Sequence, residues 1–226
     1  MKQNFNHIQL PEISETLINK VLYEHSEGGG NEIDKKLLSL FEFMGDNKSV
    51  CEVTIKVAAL NTIYATAINY IKPVVAKIVE IIPNDISKND ENDFVKFIDN
   101  IAIVSWKNES INKEYSRINL SFASKYVHFL SKRKMPIYDS YMWIIMIGYF
   151  NQYKNLNLSF AKPADYREFF QLFNKFKADF NLSKFANFEI DKFLWHSGKM
   201  ALSKILREEK IKMGAAKSKL KKQLKP

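Results

Sequence analysis

Two residues of this chain have the types and setting to do chemistry: Lys125, in Ser121-Phe122-Ala123-Ser124-Lys125-Tyr126, and Asp139, in Pro136-Ile137-Tyr138-Asp139-Ser140-Tyr141-Met142-Trp143. A lysine amine in partly dry surroundings loses its proton more easily and becomes a nucleophile toward an electrophilic carbon. A carboxylate fixed beside a reacting centre stabilises positive charge as it develops there. Each residue also has a plainer reading. Lys125 fits a surface lysine on an amphipathic helix, and Asp139, directly before an apolar run, fits an N-cap whose carboxylate accepts the free N–H groups of a first helical turn. The setting lifts the pair above those readings: a basic cluster, Lys132-Arg133-Lys134, then the turn Met135-Pro136, then an aromatic-rich helix starting at Asp139.

The segment 121–146 resembles the core of the helix-hairpin-helix base-excision DNA glycosylases, especially their 8-oxoguanine branch, in which a helix bears a catalytic lysine and a proline-containing turn delivers a catalytic aspartate. It is similar, too, to a group of bacterial proteins of this fold in which Ser-Phe-Ala-Ser-Lys-Tyr and Pro-Ile-Tyr-Asp-Ser blocks recur. Asn61-Thr62-Ile63-Tyr64 and Phe193-Leu194-Trp195-His196-Ser197-Gly198-Lys199 look like further elements of that group. The resemblance spans residues 53–199, and its central block is the specific part. Two departures stand out. The stretch before the lysine, Asn119-Leu120-Ser121-Phe122-Ala123-Ser124, lacks the glycines of the family's phosphate-binding hairpin, and Tyr138 stands where a valine is usual.

The resemblance implies an all-α, helix-hairpin-helix DNA glycosylase-like fold: two closely packed helical lobes with a cleft between them, forming a single domain over residues 1–226. It implies a monomer acting on double-stranded DNA that contains a modified base, with no cofactor, no metal and none of the iron–sulfur clusters of some relatives. A base inside a duplex must be flipped out before it can be attacked, at a cost of a few kcal/mol. Asp139 would then stabilise the oxocarbenium-like sugar, and Lys125 would attack C1′ to form a Schiff base, with strand cleavage following in a bifunctional enzyme. Asn61, Tyr64, Phe129, Trp195 and His196 are the candidate base contacts. Ser121, Ser124, Lys132, Arg133, Lys134, Tyr141 and Lys199 are the candidate DNA-backbone contacts. Competing readings are structural: Phe129 and Trp195 as core residues, and Asn61 as a buried amide with internal partners.

Charge is unevenly placed on a chain of net charge +9. Residues 198–226 hold ten Lys/Arg against two Glu, and residues 112–134 hold six against Glu114 alone. Two basic regions on a slightly acidic remainder suit a phosphate-backbone binder. The tail, about residues 214–226, also fits a solvated, frayed lysine-rich end. With 46% hydrophobic residues the composition is that of a globular chain, not a disordered one. No apolar run reaches the roughly 20 residues of a membrane span, and the opening residues lack a signal-peptide core. The expectation is a cytoplasmic, nucleoid-associated protein that does not meet a membrane. A single cysteine, Cys51, excludes an internal disulfide, and no Cys/His spacing resembles a metal site.

Helical patterns run almost throughout. They cover 13–25, capped by Ser14 and ended by Gly28-Gly29-Gly30, then 32–44, and 53–71 as a long core helix. A helix entered near Pro73 ends before Pro83, and further helices cover 93–106, 112–117, 122–131 and 139–150. Pro163 opens an amphipathic helix whose Phe169, Leu172, Phe173 and Phe176 face a core, and 189–195 and 198–213 complete the series. No period-two alternation is expected. Besides a glycosylase serving base excision repair or defence against phage DNA with modified bases, two other readings stay open: a catalytically inactive DNA-binding protein of the same fold, and a helical protein-interaction module.

Overall fold

The computed structural model describes residues 7–225, without the side chains of residues 108 and 109. Among the described residues the chain is mostly helical, with ten α-helices and one two-stranded sheet. It divides into two compact units. One gathers the chain up to Gly28, Asp139–Lys162 and the chain from Leu172; the other comprises Gly29–Tyr138 and Pro163–Gln171. No described helix is long and apolar enough to cross a membrane.

The unit from Gly29 holds α2 (Gly30–Phe43), α3 (Val50–Ile63), α4 (Ile71–Ile81), α5 (Glu91–Ala102) and α6 (Leu120–Leu130). Val53, Val57, Leu60, Ile78, Ile98, Ile101, Phe122 and Tyr126 are fully or almost fully buried and form its core. A capping box of Asp90 and Asp93 starts α5. Between α5 and α6 stands an antiparallel hairpin, β1 (Ile103–Asn108) and β2 (Lys113–Ile118). This ends the expected helix 93–106 at Ala102 and replaces the expected helix 112–117. Trp106 opposes and stacks on Tyr115 at 5.5 Å, and Ser105 bonds Ser116 at 3.1 Å, so the stabilising pairs run across strands and not along a helix face. Asn119 donates its N–H to Ala102 O at 2.7 Å, closing the base of the hairpin so that α6 begins where α5 ends.

The long helix expected over 53–71 also breaks. Asn61 Oδ1 accepts the Ile68 N–H at 2.8 Å and the Thr66 hydroxyl at 2.8 Å, while Asn61 Nδ2 donates to Ile68 O at 2.9 Å. Its amide thus offers the backbone an alternative to the helix. Ala65 and Ala67 take left-handed conformations, φ 46° and 57°, within the loop it staples.

The other unit holds α1 (Glu15–Glu27), α7 (Ser140–Lys154), α9 (Asn187–Glu209) and α10 (Met213–Gln223). The remaining helix, α8 (Tyr166–Asp179), contributes to both units. Ser14 caps α1 by accepting the Leu17 N–H at 3.2 Å. α7 is buried continuously from Met142 to Asn151, as an all-round apolar helix must be. Phe176 and Phe193 are fully buried beside Tyr149 and Phe150, which makes these phenylalanines core residues. Glycine at 198 does not split the chain into two helices as expected. α9 runs through it because a Cβ there would lie 2.8 Å from Tyr141 O, so the missing side chain lets α9 approach the start of α7. The lysine-rich end, expected as a frayed tail, is helical in α10 because Ala216, Leu220 and Leu224 bury one stripe of it.

Candidate functional site

α6 is buried from Phe122 through Leu130, and Lys125 is only 4% exposed. Its Nζ donates to Ser121 Oγ at 2.6 Å, one turn back, and lies 5.7 Å from the centre of the Tyr64 ring. Tyr64 in turn packs 6.0 Å from Phe129 and donates its hydroxyl to Asp34 Oδ1 at 2.6 Å. Lys125, Ser121, Tyr64 and Phe129 are therefore gathered at one place. Asp34, 5% exposed, joins them and was missed by sequence reasoning. Its signal was present: Asp34, Leu37 and Phe41 share the buried face of α2, so an acid occupies an apolar phase position. Buried carboxylates are rare unless they have partners.

Two polar side chains of α6 and its C-cap, Ser131, bind the turn that follows. Ser124 Oγ accepts the Tyr138 N–H at 3.0 Å, Ser131 Oγ accepts the Met135 N–H at 3.2 Å, and His128 Nδ1 donates to Met135 O at 2.7 Å. Tyr166 adds a 2.6 Å bond from its hydroxyl to Pro136 O. Lys132 and Arg133 reverse the chain in left-handed conformations, φ 53° and 67°. The serine preceding Lys125 thus anchors the residue preceding Asp139. Lys132 and Lys134 are exposed and Arg133 is half-buried; Lys132 pairs with Glu42 at 3.6 Å.

Asp139 belongs to the other unit, where it is the N-cap of α7. Its Oδ1 accepts the Tyr141 N–H at 2.7 Å. Beside it stands a second amine that sequence reasoning placed in the tail. Lys217 Nζ donates to Ser140 Oγ at 2.8 Å and lies 4.7 Å from the centre of the Tyr141 ring. Burial pulls the Lys217 ammonium below the ordinary lysine range, Asp139 opposes that, and Lys221 and Lys162 add to it. Burial, and then Asp139, push the Tyr141 phenol up. On α9, Trp195 and His196 are half-buried and Lys199 is exposed. Lys199 lies over the Trp195 ring at 4.9 Å, and His196 Nε2 is 3.1 Å from Glu24. The amide of Asn61 is engaged by its own loop. No described group of three or more His, Cys, Asp or Glu is placed to hold a metal ion.

Residues 17–134 match the model of the HI_0787_N family, described as an N-terminal domain. The chain belongs to that family. No curated protein and no solved structure matches it. The HI_0787_N match includes Asp34, Asn61, Tyr64, Ser121, Lys125 and the Lys132-Arg133-Lys134 cluster, and it stops five residues before Asp139.

Proposed function

We propose that the protein is a DNA glycosylase that excises an oxidised or otherwise modified base, with Lys125 as the amine nucleophile and Asp139 as the carboxylate that stabilises the developing sugar cation. A helix-hairpin-helix glycosylase-like fold belongs to the same proposal. The observation that carries it is the placement of Lys125. A lysine 4% exposed, touching a serine hydroxyl and facing an aromatic ring, has the dry surroundings that amine nucleophiles require. Tyr64, half-buried beside Lys125, supplies a flat apolar face for an extruded base to stack on, and Phe129, 1% exposed, packs behind it as a core residue. The carboxylate of Asp139 is fixed by its bond to the Tyr141 N–H, and a preorganised charge is the kind that lowers a barrier. Excision serves repair of damaged DNA or attack on invading DNA with modified bases.

The test is alkaline cleavage of end-labelled duplexes carrying 8-oxoguanine, uracil, alkylated purines or hypermodified cytosines. Alkali reveals an abasic site whether or not the enzyme cuts the strand. Cleavage of one substrate is expected, falling at least about 10²-fold in Asp139→Asn. Full activity in both Asp139→Asn and Lys125→Gln would sink the proposal. Binding without base release on every substrate would replace it with a DNA-binding protein that does no chemistry.

A further inference from the structure

Lysines gather on one side of α10 and just after its end. Ala216, Leu220 and Leu224 dock the helix at four-residue intervals, and Leu224 comes within 3.0 Å of the position a Cβ would take at Gly148. That docking fixes Lys217 and Lys221 on the adjacent face, one turn apart, and Lys225 follows the end of the helix. Lys217 stands at Ser140, next to Asp139. Lys221 donates to Phe160 O at 3.1 Å and, with Lys222 and Lys225, lines a groove of about 730 Å³ whose other wall is the segment 157–161. Asn151 shapes that wall, accepting the Leu158 N–H at 2.6 Å and donating to Leu158 O at 3.0 Å. Lys162 adds a further positive charge felt at Lys217.

Like charges one turn apart weaken a helix, so a row of them along a groove is sustained best by an anion that neutralises several at once. We propose that α10 and the segment 157–162 form a phosphodiester-binding groove that grips a DNA backbone and leads it toward Asp139. The choice of DNA as the source of the phosphodiester rests on the glycosylase reading; the groove itself does not. Lys217 and Lys221, about 6 Å apart along the helix, with Lys222 and Lys225 beyond them, together span more than one phosphate of a nucleic acid strand, whereas a small anion would engage one or two of these lysines.

The test is binding of a fluorescein-labelled duplex to the full chain, by anisotropy across a KCl series. The variants are Lys221→Gln/Lys222→Gln/Lys225→Gln and a charge-matched control, Lys20→Gln/Lys35→Gln/Lys36→Gln. The groove variant is expected to bind at least about tenfold more weakly and to lose two to three from the log Kd against log salt slope, at about 0.9 per phosphate contact. Arginine at the same three positions should restore both, which separates lost charge from a disturbed helix. Equal affinity and slope in the groove and control variants would overturn the proposal. So would binding that inorganic pyrophosphate, at concentrations near that of the protein, abolishes. Base release is read separately: a groove variant that loses binding in a protein with no excision activity leaves the groove standing and removes the glycosylase reading.

Discussion

Lys56 on α3 and Lys125 on α6 are both buried, and both lie against one aromatic cluster. Phe41 contacts Tyr126 at 5.1 Å and Phe129 at 5.7 Å, and Phe129 contacts Tyr64 at 6.0 Å. Lys56 lies over Phe41 and Tyr126, and Lys125 over Tyr64. Their polar contacts differ in kind. Lys56 Nζ donates to Met44 O at 2.9 Å and to Asn47 Oδ1 at 3.0 Å, tying the loop after α2 to α3. Lys125 donates to the hydroxyl of Ser121 on its own helix. Moving the amine of Lys56 unties a loop, whereas the bond from Lys125 to Ser121 joins two residues of one helical turn. A buried lysine is thus not a site by burial alone; its partners decide whether it is a fastener or a reactive group.

The sharpest way to break this comparison is to exchange each lysine for glutamine. Lys125→Gln should fold with a melting temperature near wild type and form no borohydride-trapped adduct with DNA. Lys56→Gln should still form the adduct when folded. An adduct in Lys125→Gln would move the nucleophile elsewhere, and Lys217, beside Asp139, is the amine to examine next.

Stability should rank them in the opposite order. Lys56→Met keeps the volume but leaves Met44 O and Asn47 Oδ1 without this donor, at a cost of about 1–3 kcal/mol. Thermal unfolding should show a fall of several degrees. An unchanged melting temperature would remove the fastener role.

Much of this was legible in sequence. The Ser14 cap, the Asp139 cap and the buried phenylalanines of α8 follow from residue type and period. What was not legible depends on partners distant in the chain or on competition between side chain and backbone. Ala65 and Ala67 read as helix until Asn61 bonds its own loop. Gly198 reads as a breaker until Tyr141 is packed against it. Residues 103–106 and 113–117 read as helix because neither stretch alternates regularly between apolar and polar side chains, and only the pairing of Trp106 with Tyr115 reveals the sheet. Asp34 occupies an apolar phase position on α2, but its partner Tyr64 is 30 residues away in the chain.

Tyr64 links the two kinds of buried polar group, and Tyr64→Phe tests that link. The change removes the 2.6 Å bond to Asp34 while keeping the ring beneath Lys125. Hydrogen bonds to charged groups contribute about 1.5–3 kcal/mol when buried, and Tyr64 is half-buried, so a loss near the lower figure is expected in chemical denaturation. If the ring is what base stacking needs, substrate binding should stay close to wild type. Tyr64→Ala should then weaken it, by about 1–3 kcal/mol if stacking on this ring resembles that in single-strand binders.

The smallest effect is a pH dependence at Lys56. Burial holds its ammonium below the ordinary lysine value, against the opposing pull of Glu52 and Asp46. Between the folded value and the unfolded value of 10.5, the unfolded chain binds more protons than the folded one, so stability rises with pH across that window. Below it, the folded protein bears the whole cost of a buried ammonium and the contribution no longer varies. Lys56→Met lacks this titration. The stability of wild type relative to Lys56→Met should therefore increase as pH approaches 10.5, measured by urea unfolding at matched ionic strength. A difference that is flat or falling with pH would show that the two carbonyl-type acceptors and the nearby carboxylates outweigh desolvation at this lysine, and that fastening it costs the fold nothing in charge.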